Sequence, residues 1–184
     1  MFSLGSLTTV PALERPDLLA APTLQLLTDL QLLGKVGVVE IDPDISDTAA
    51  TADAFGLEQH TLANCVIVGG KREGEERMAA VVILASTRAD INSVVKRLLD
   101  VRKASFLPME RAVELTGMEY GGITPIGLPQ GMPIYIDSRV ADSELVIVGS
   151  GIRKSKIIVP GAILAGMPGA SVVADLARDI PAPD

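Results

Sequence analysis

Two β-rich runs joined by a glycine-bearing charged link constrain this chain more than any other feature. "ANCVIV" (63–68) and "RMAAVVILA" (77–85) flank "GGKREGEE" (69–76), which carries three glycines and a charge cluster. The pattern predicts a hairpin. Its apolar blocks are strand-sized, and no run in the chain reaches the roughly eighteen apolar residues that span a bilayer.

Helical and extended segments alternate irregularly around that hairpin. Leucines at 24, 26, 27, 30 and 33 predict an amphipathic helix within 17–33, with Pro22 near its start and Gly34 as its stop. "KVGVVEI" (35–41) reads as a strand, and Asp47 and Gly56 bracket a short helix. Thr87 is the expected cap of a helix whose stripe is Ile91, Val94, Val95, Leu98 and Leu99. A second helix is expected over Pro108–Thr116, ended by Gly117. "MPIYID", "ELVIVG" and "SKIIV" read as strands, and "PGASVVADLARDI" (168–180) as a closing helix before a Pro-ended tail. There is no internal repeat. The expected class is α+β, with a mixed, mostly antiparallel, curled central sheet. Residues 1–33 read as an N-terminal extension, loose over 1–16 and helical beyond, and residues 34–184 as one domain. The leucine face of the extension offers a cap for the domain or a surface for a homodimer.

Charge and composition narrow the partners. The net charge is −7, and residues 1–60 hold all of it, since Arg15 and Lys35 face nine acids there. Residues 61–184 balance to zero, so a long nucleic-acid footprint is not expected and any contact is local or confined to an end. Aromatics make up 3% with no tryptophan, which argues against base stacking along a single strand. The start lacks a basic segment ahead of an apolar core, so no secretory signal is expected. One cysteine excludes an internal disulfide and suits a reducing cytoplasm. No metal or cofactor is expected: phosphate-loop, dinucleotide, HExxH and CxxC motifs are missing, and one histidine with one cysteine makes no usual zinc site. His60 reads as a turn histidine, and Cys65 as a small hydrophobe in a strand.

Three segments keep two readings each. "KREGEER" (71–77) is a solvated hairpin tip or a phosphate contact. "SGIRKSK" (150–156) is a plain basic turn or an anion-holding one. "GGITPIGLPQGMP" (121–133) packs four glycines and three prolines among apolar residues. It is a rigid connector or the stiff wall of a site, because proline fixes φ while glycine admits close backbone approach.

The order TG-x-x-x-GG-x-x-P-x-G over 116–127, a strand ending in Asp137, and a turn before a hydrophobic strand resembles the YbaK/prolyl-tRNA synthetase-associated family of aminoacyl-tRNA editing domains. The resemblance covers roughly 38–180. It implies a mixed α/β domain that hydrolyses the ester of mischarged tRNA, freestanding or as an insert in a synthetase. It also implies Gly121, and Asn64 at the position of the family lysine, as the catalytic positions, with a substrate pocket bounded by Gly122, Ile123, Thr124 and Pro125, by Asp137, and by Ser150, Gly151 and Arg153. An aminoacyl ester is already activated, so orienting water and stabilising an oxyanion suffices without a Ser-His-Asp set. The chain departs from the family at two points. Asn64 stands where members usually carry a lysine, and "VVEIDP" lacks a histidine common ahead of the first helix. The expected function is a trans-acting deacylase with a diverged site, binding the 3′ end of aminoacyl-tRNA. The alternative is a catalytically silent relative that binds a nucleotide, an aminoacyl group or a protein.

Overall fold

The expected hairpin is the centre of the fold. The computed structural model describes residues 1–180, so the tail at 181–184 lies outside the described residues. Strands β1 (Ser3–Leu4), β2 (Leu7–Thr8) and β3 (Val10–Pro11) precede a single turn of 3-10 helix at Pro16–Leu18 and α1 (Ala21–Asp29). Then come β4 (Gly37–Glu40), α2 (Thr48–Phe55), and the long pair β5 (Ala63–Arg72) and β6 (Glu75–Leu84). The pair turns through Glu73 and Gly74, both at positive φ (53° and 89°). A two-residue loop needs that backbone to match the strand twist. β7 (Thr87–Ala89), a π-helical turn at Ile91–Val95 continuing into α3 (Lys96–Leu98), β8 (Ala104–Phe106) and α4 (Met109–Thr116) follow. The chain ends with β9 (Ile134–Asp137), α5 (Ser138–Ala141), β10 (Val146–Gly149), β11 (Ser155–Val159), α6 (Gly161–Ala165), β12 (Ala170–Val173) and β13 (Ala177–Asp179).

Two sheets carry the architecture. One is mixed, in the order β12-β9-β6-β5-β8, and the other antiparallel, in the order β10-β11-β4-β3. A parallel bridge between Leu62 and Ile147 joins them where β5 begins. Side chains alternate across β6, which explains its unbroken apolar run. Ala80, Val82 and Leu84 enter the main core, where they meet Val38, Val148 and Ile157 of the other sheet. Ala79, Val81 and Ile83 enter a second core under Ile91, Val95 and Leu99. A third cluster lies on the far side of the four-stranded sheet, where Ile147 and Ile158 meet Leu7 and Ala52.

Several local expectations change. Thr87 belongs to β7, and the helix after it is capped by Asp90, whose carboxylate accepts from Ser93 N at 3.0 Å. The closing helix does not form, because Ala170–Val173 pairs with β9 and Ala177–Asp179 pairs with β7. Free strand edges there accept extended chain, and that overrides local helical preference. Residues 1–16 hold short strands, and β3 pairs with β4 inside the second sheet. Helix in 1–33 is confined to α1 and the 3-10 turn, and leucines 24, 26, 27, 32 and 33 pack on the main core. Leu30, the remaining leucine of that face, stays exposed. No helix among the described residues is long and apolar enough to cross a membrane.

Candidate functional site

The two sheets part beside the Leu62–Ile147 bridge and enclose a cavity of about 590 Å³. Asn64 and Cys65 of β5, Val148 and Gly149 of β10, and Lys156 of β11 line it, together with Gly121 and Ile123 from the glycine/proline segment. Its mouth carries exposed Phe106, Met109 and Tyr120.

Glycine builds one wall. The 121–125 loop and the 150–153 turn are tied by Gly151 N donating to Gly122 O at 2.7 Å and Glu119 N donating to Gly151 O at 2.8 Å. The Glu119 carboxylate accepts from Arg153 N at 2.6 Å. A Cβ on Gly122 would meet Ile152 backbone atoms at 2.7 Å, and one on Gly149 would meet Gly122 O at 2.2 Å. Only glycine permits such nesting. Gly122, Thr124 and Pro125 are buried behind Gly121 and Ile123 rather than on the cavity surface. The Thr124 hydroxyl has no hydrogen-bond partner among the described residues.

The other expected residues serve the frame. Ser150 Oγ shares a 2.7 Å hydrogen bond with Ser155 Oγ, which donates onward to Leu18 O at 2.6 Å. Arg153 donates from Nη2 to Pro43 O at 3.0 Å and from Nε to Ser46 Oγ at 3.2 Å. Asp137 is buried and fully engaged, pairing with Arg139 at 2.8 Å and accepting from Ala177 N at 3.0 Å. Ser150, Gly151, Arg153 and Asp137 do not line the cavity, and Gly149, one residue before the turn, does.

The opposite wall supplies polar chemistry. Thr48 Oγ1 donates to Asn64 Oδ1 at 2.6 Å, which orients that amide and leaves its NH₂ to face another acceptor. Lys156 is 7% exposed, and its Nζ donates to Ser46 O at 2.6 Å. Burial pushes its amine down to about 8, and the negative charge of Asp47 partly opposes the shift. In the sequence, Lys156 reads as one cation of a basic turn. The signal that it differs is a charge inside the apolar run "SKIIV", flanked by buried Ser155 and Ile157. Burial pushes the Cys65 thiol up to about 12, so it is protonated and a poor nucleophile. His60 lies outside the cavity, beside Glu58 at 3.1 Å on the surface. No cluster of His, Cys, Asp and Glu among the described residues could hold a metal ion.

The chain belongs to the aminoacyl-tRNA editing domain family, whose sequence profile matches residues 42–166. That membership sets it broadly in aminoacyl-tRNA editing, with aminoacyl-tRNA as the class of molecule it meets. It is 25% identical over 142 residues to the uncharacterized protein YwhH of Bacillus subtilis, covering 77% of this chain and 87% of that one. It is also 32% identical over 72 residues to a proline–tRNA ligase of Listeria monocytogenes, a match spanning 38% of this chain and 13% of the ligase. A crystal structure of a protein provisionally assigned as a trans-editing enzyme for prolyl tRNA synthetase superposes with a TM-score of 0.69 at 22% identity. It covers 85% of this chain and 97% of its own, and supports the mixed α+β fold.

Proposed function

We propose that this protein is a trans-acting aminoacyl-tRNA deacylase of the cytoplasm that hydrolyses the ester of mischarged tRNA. The observation that carries the reading is one cavity lined by Lys156, Asn64, Gly121 and Ile123 together. Its volume, about 590 Å³, lies in the range of small-ligand sites and suits an aminoacyl group with part of the terminal nucleoside.

Water attacks the ester carbonyl carbon, and the bond from that carbon to the ribose oxygen breaks. The water's proton ends on the ribose hydroxyl, and a free amino acid leaves. Negative charge develops on the carbonyl oxygen, and preorganised donors aimed at it lower the barrier. The Lys156 ammonium is the buried cation lining the cavity and supplies the positive charge that Asn64 lacks. With its pKa near 8 it remains mostly protonated at neutral pH. Among the described residues the N–H groups of Gly121 and Ile123 donate to no protein acceptor, so they are available to substrate. Asn64 orients the substrate through its NH₂.

Release of amino acid from a panel of mischarged tRNAs tests the reading, with Lys156→Met as the paired variant. The expected result is turnover on at least one ester and a loss of roughly a hundredfold in the variant, the usual scale for removing an oxyanion donor. No release above the uncatalysed rate for any ester would sink it and favour the silent binding module. That rival draws support from Asn64 standing at the position of the family lysine.

A further inference from the structure

A second concavity of about 480 Å³ adjoins the first, and Phe106 and Leu107 line both. Its floor is made where β8 pairs with β5, with Gly70 opposite Ala104. Glycine is required there, since a Cβ on Gly70 would lie 2.4 Å from Lys103 O. Arg102 N also donates to Lys71 O at 3.4 Å. This pairing gathers Lys71, from the hairpin, with Arg102 and Lys103, about thirty residues further along the chain, on one groove. All three are exposed, and none takes part in an ion pair among the described residues. Neighbouring cations differ, because Arg72 and Arg77 are both held by Asp100 at 3.3 and 2.7 Å. The one acid lining the groove, Glu76, is neutralised by a two-pronged contact with Arg111.

We propose that this groove holds the sugar–phosphate strand of the tRNA acceptor end while the aminoacyl group enters the neighbouring cavity. The inference rests on the deacylase reading for its choice of RNA. Free cations fixed along a groove match the regular charge of a phosphate backbone. Exposed Phe106 stands on the divide between groove and cavity, where the strand turns from one into the other. The net charge of −7 lies wholly in residues 1–60 and disfavours RNA on that part of the chain, while the balanced remainder suits a contact with a few phosphates beside the ester.

The test uses the full chain and a labelled acceptor-stem minihelix ending in CCA, with binding followed across a salt series. Three phosphate contacts to a single strand give a log–log slope of about −2, or roughly fifteenfold weaker binding from 50 to 200 mM salt. Arg102→Glu with Lys103→Glu is expected to weaken binding at least tenfold and to flatten the slope. Lys35→Glu, exposed in the turn that precedes β4, changes net charge as Lys103→Glu does and is expected to leave binding within twofold of the parent chain. The neutral pair Arg102→Gln and Lys103→Gln gives a smaller loss of the same sign and guards against misfolding of the charge-reversed chain. On aminoacyl-tRNA the charge-reversed pair raises KM and leaves kcat within twofold.

Equal binding by parent and charge-reversed chains overturns the inference, as does oligo-glutamate displacing the minihelix as well as RNA does. Strong deacylation with an unchanged KM in the double variant would remove the groove and leave the deacylase reading standing. Salt-dependent, groove-dependent binding without ester loss would do the reverse.

Discussion

The two basic segments "SGIRKSK" and "KREGEER" look alike in sequence and end in opposite conditions. In the first, Arg153 is bound to Pro43 O and Ser46 Oγ, and Lys156 is buried against Ser46 O. In the second, Arg72 and Arg77 are tied to Asp100 while Lys71 stays free and joins Arg102 and Lys103 across β8. Lys156 turns inward and lends the cavity charge, and Arg153, though exposed, is held against the frame, whereas the free cation Lys71 meets solvent or a ligand. A basic motif therefore states only that charge is present. Which carbonyls and carboxylates surround it decides its use.

The sharpest way to break this comparison is Lys156→Met. If the inward cation is chemical as well as structural, ester hydrolysis falls roughly a hundredfold, about 3 kcal/mol at 1.4 kcal/mol per tenfold. An unchanged rate would reduce Lys156 to a brace. Gly149→Ala comes next, since its Cβ would sit 2.2 Å from Gly122 O and must push the two loops apart. The expected cost is about 3 kcal/mol in denaturant unfolding, with a substrate defect because the same residue lines the cavity. A cost under about 0.5 kcal/mol would mean that the wall is slack.

The pH dependence of Lys156 has a defined sign. Its folded value of about 8 lies below the ordinary 10.5, so the unfolded chain binds more protons between those limits. Relative to Lys156→Met, stability rises with pH from about 8 to 10.5, by up to about 3 kcal/mol, and is level below 8 where both states are charged. The catalytic advantage runs the other way and declines as pH climbs through about 8. Parallel pH curves for the two chains would contradict both statements.

The frame-holding Arg153 predicts a smaller effect. Arg153→Met loses two charge-assisted hydrogen bonds and is expected to cost about 1–3 kcal/mol of stability. Smallest is Lys71→Ala at the outward segment, within about 0.5 kcal/mol in stability and a few-fold in KM. A stability loss as large as that of Arg153→Met would erase the distinction between the segments.

Much of the fold was legible locally. The β5–β6 hairpin, α2 with Asp47 as cap and Gly56 as stop, and α4 ending at Gly117 all follow from short-range rules, and they formed. Residues 168–180 did not follow such rules, because edge pairing with β9 and β7 competes with helix and is invisible to a window of neighbours. The 121–125 loop announced itself through glycine and proline, which report on backbone directly. Its neighbour Gly149 and the opposing Lys156 did not, since neither stands out until two sheets meet.

The order of residues alone carried the class of fold, the stiff glycine-rich segment, the family resemblance and the absence of the expected lysine at position 64. Those are properties of backbone preference and residue order, carried within a few neighbours. Tertiary structure alone decided that Lys156 shares a cavity with Asn64, that Asp137 is spent on Arg139 and Ala177, and that Lys71 lies beside Lys103. Burial and charge pairing depend on residues far apart in the chain, and only the packed sheets bring them within reach.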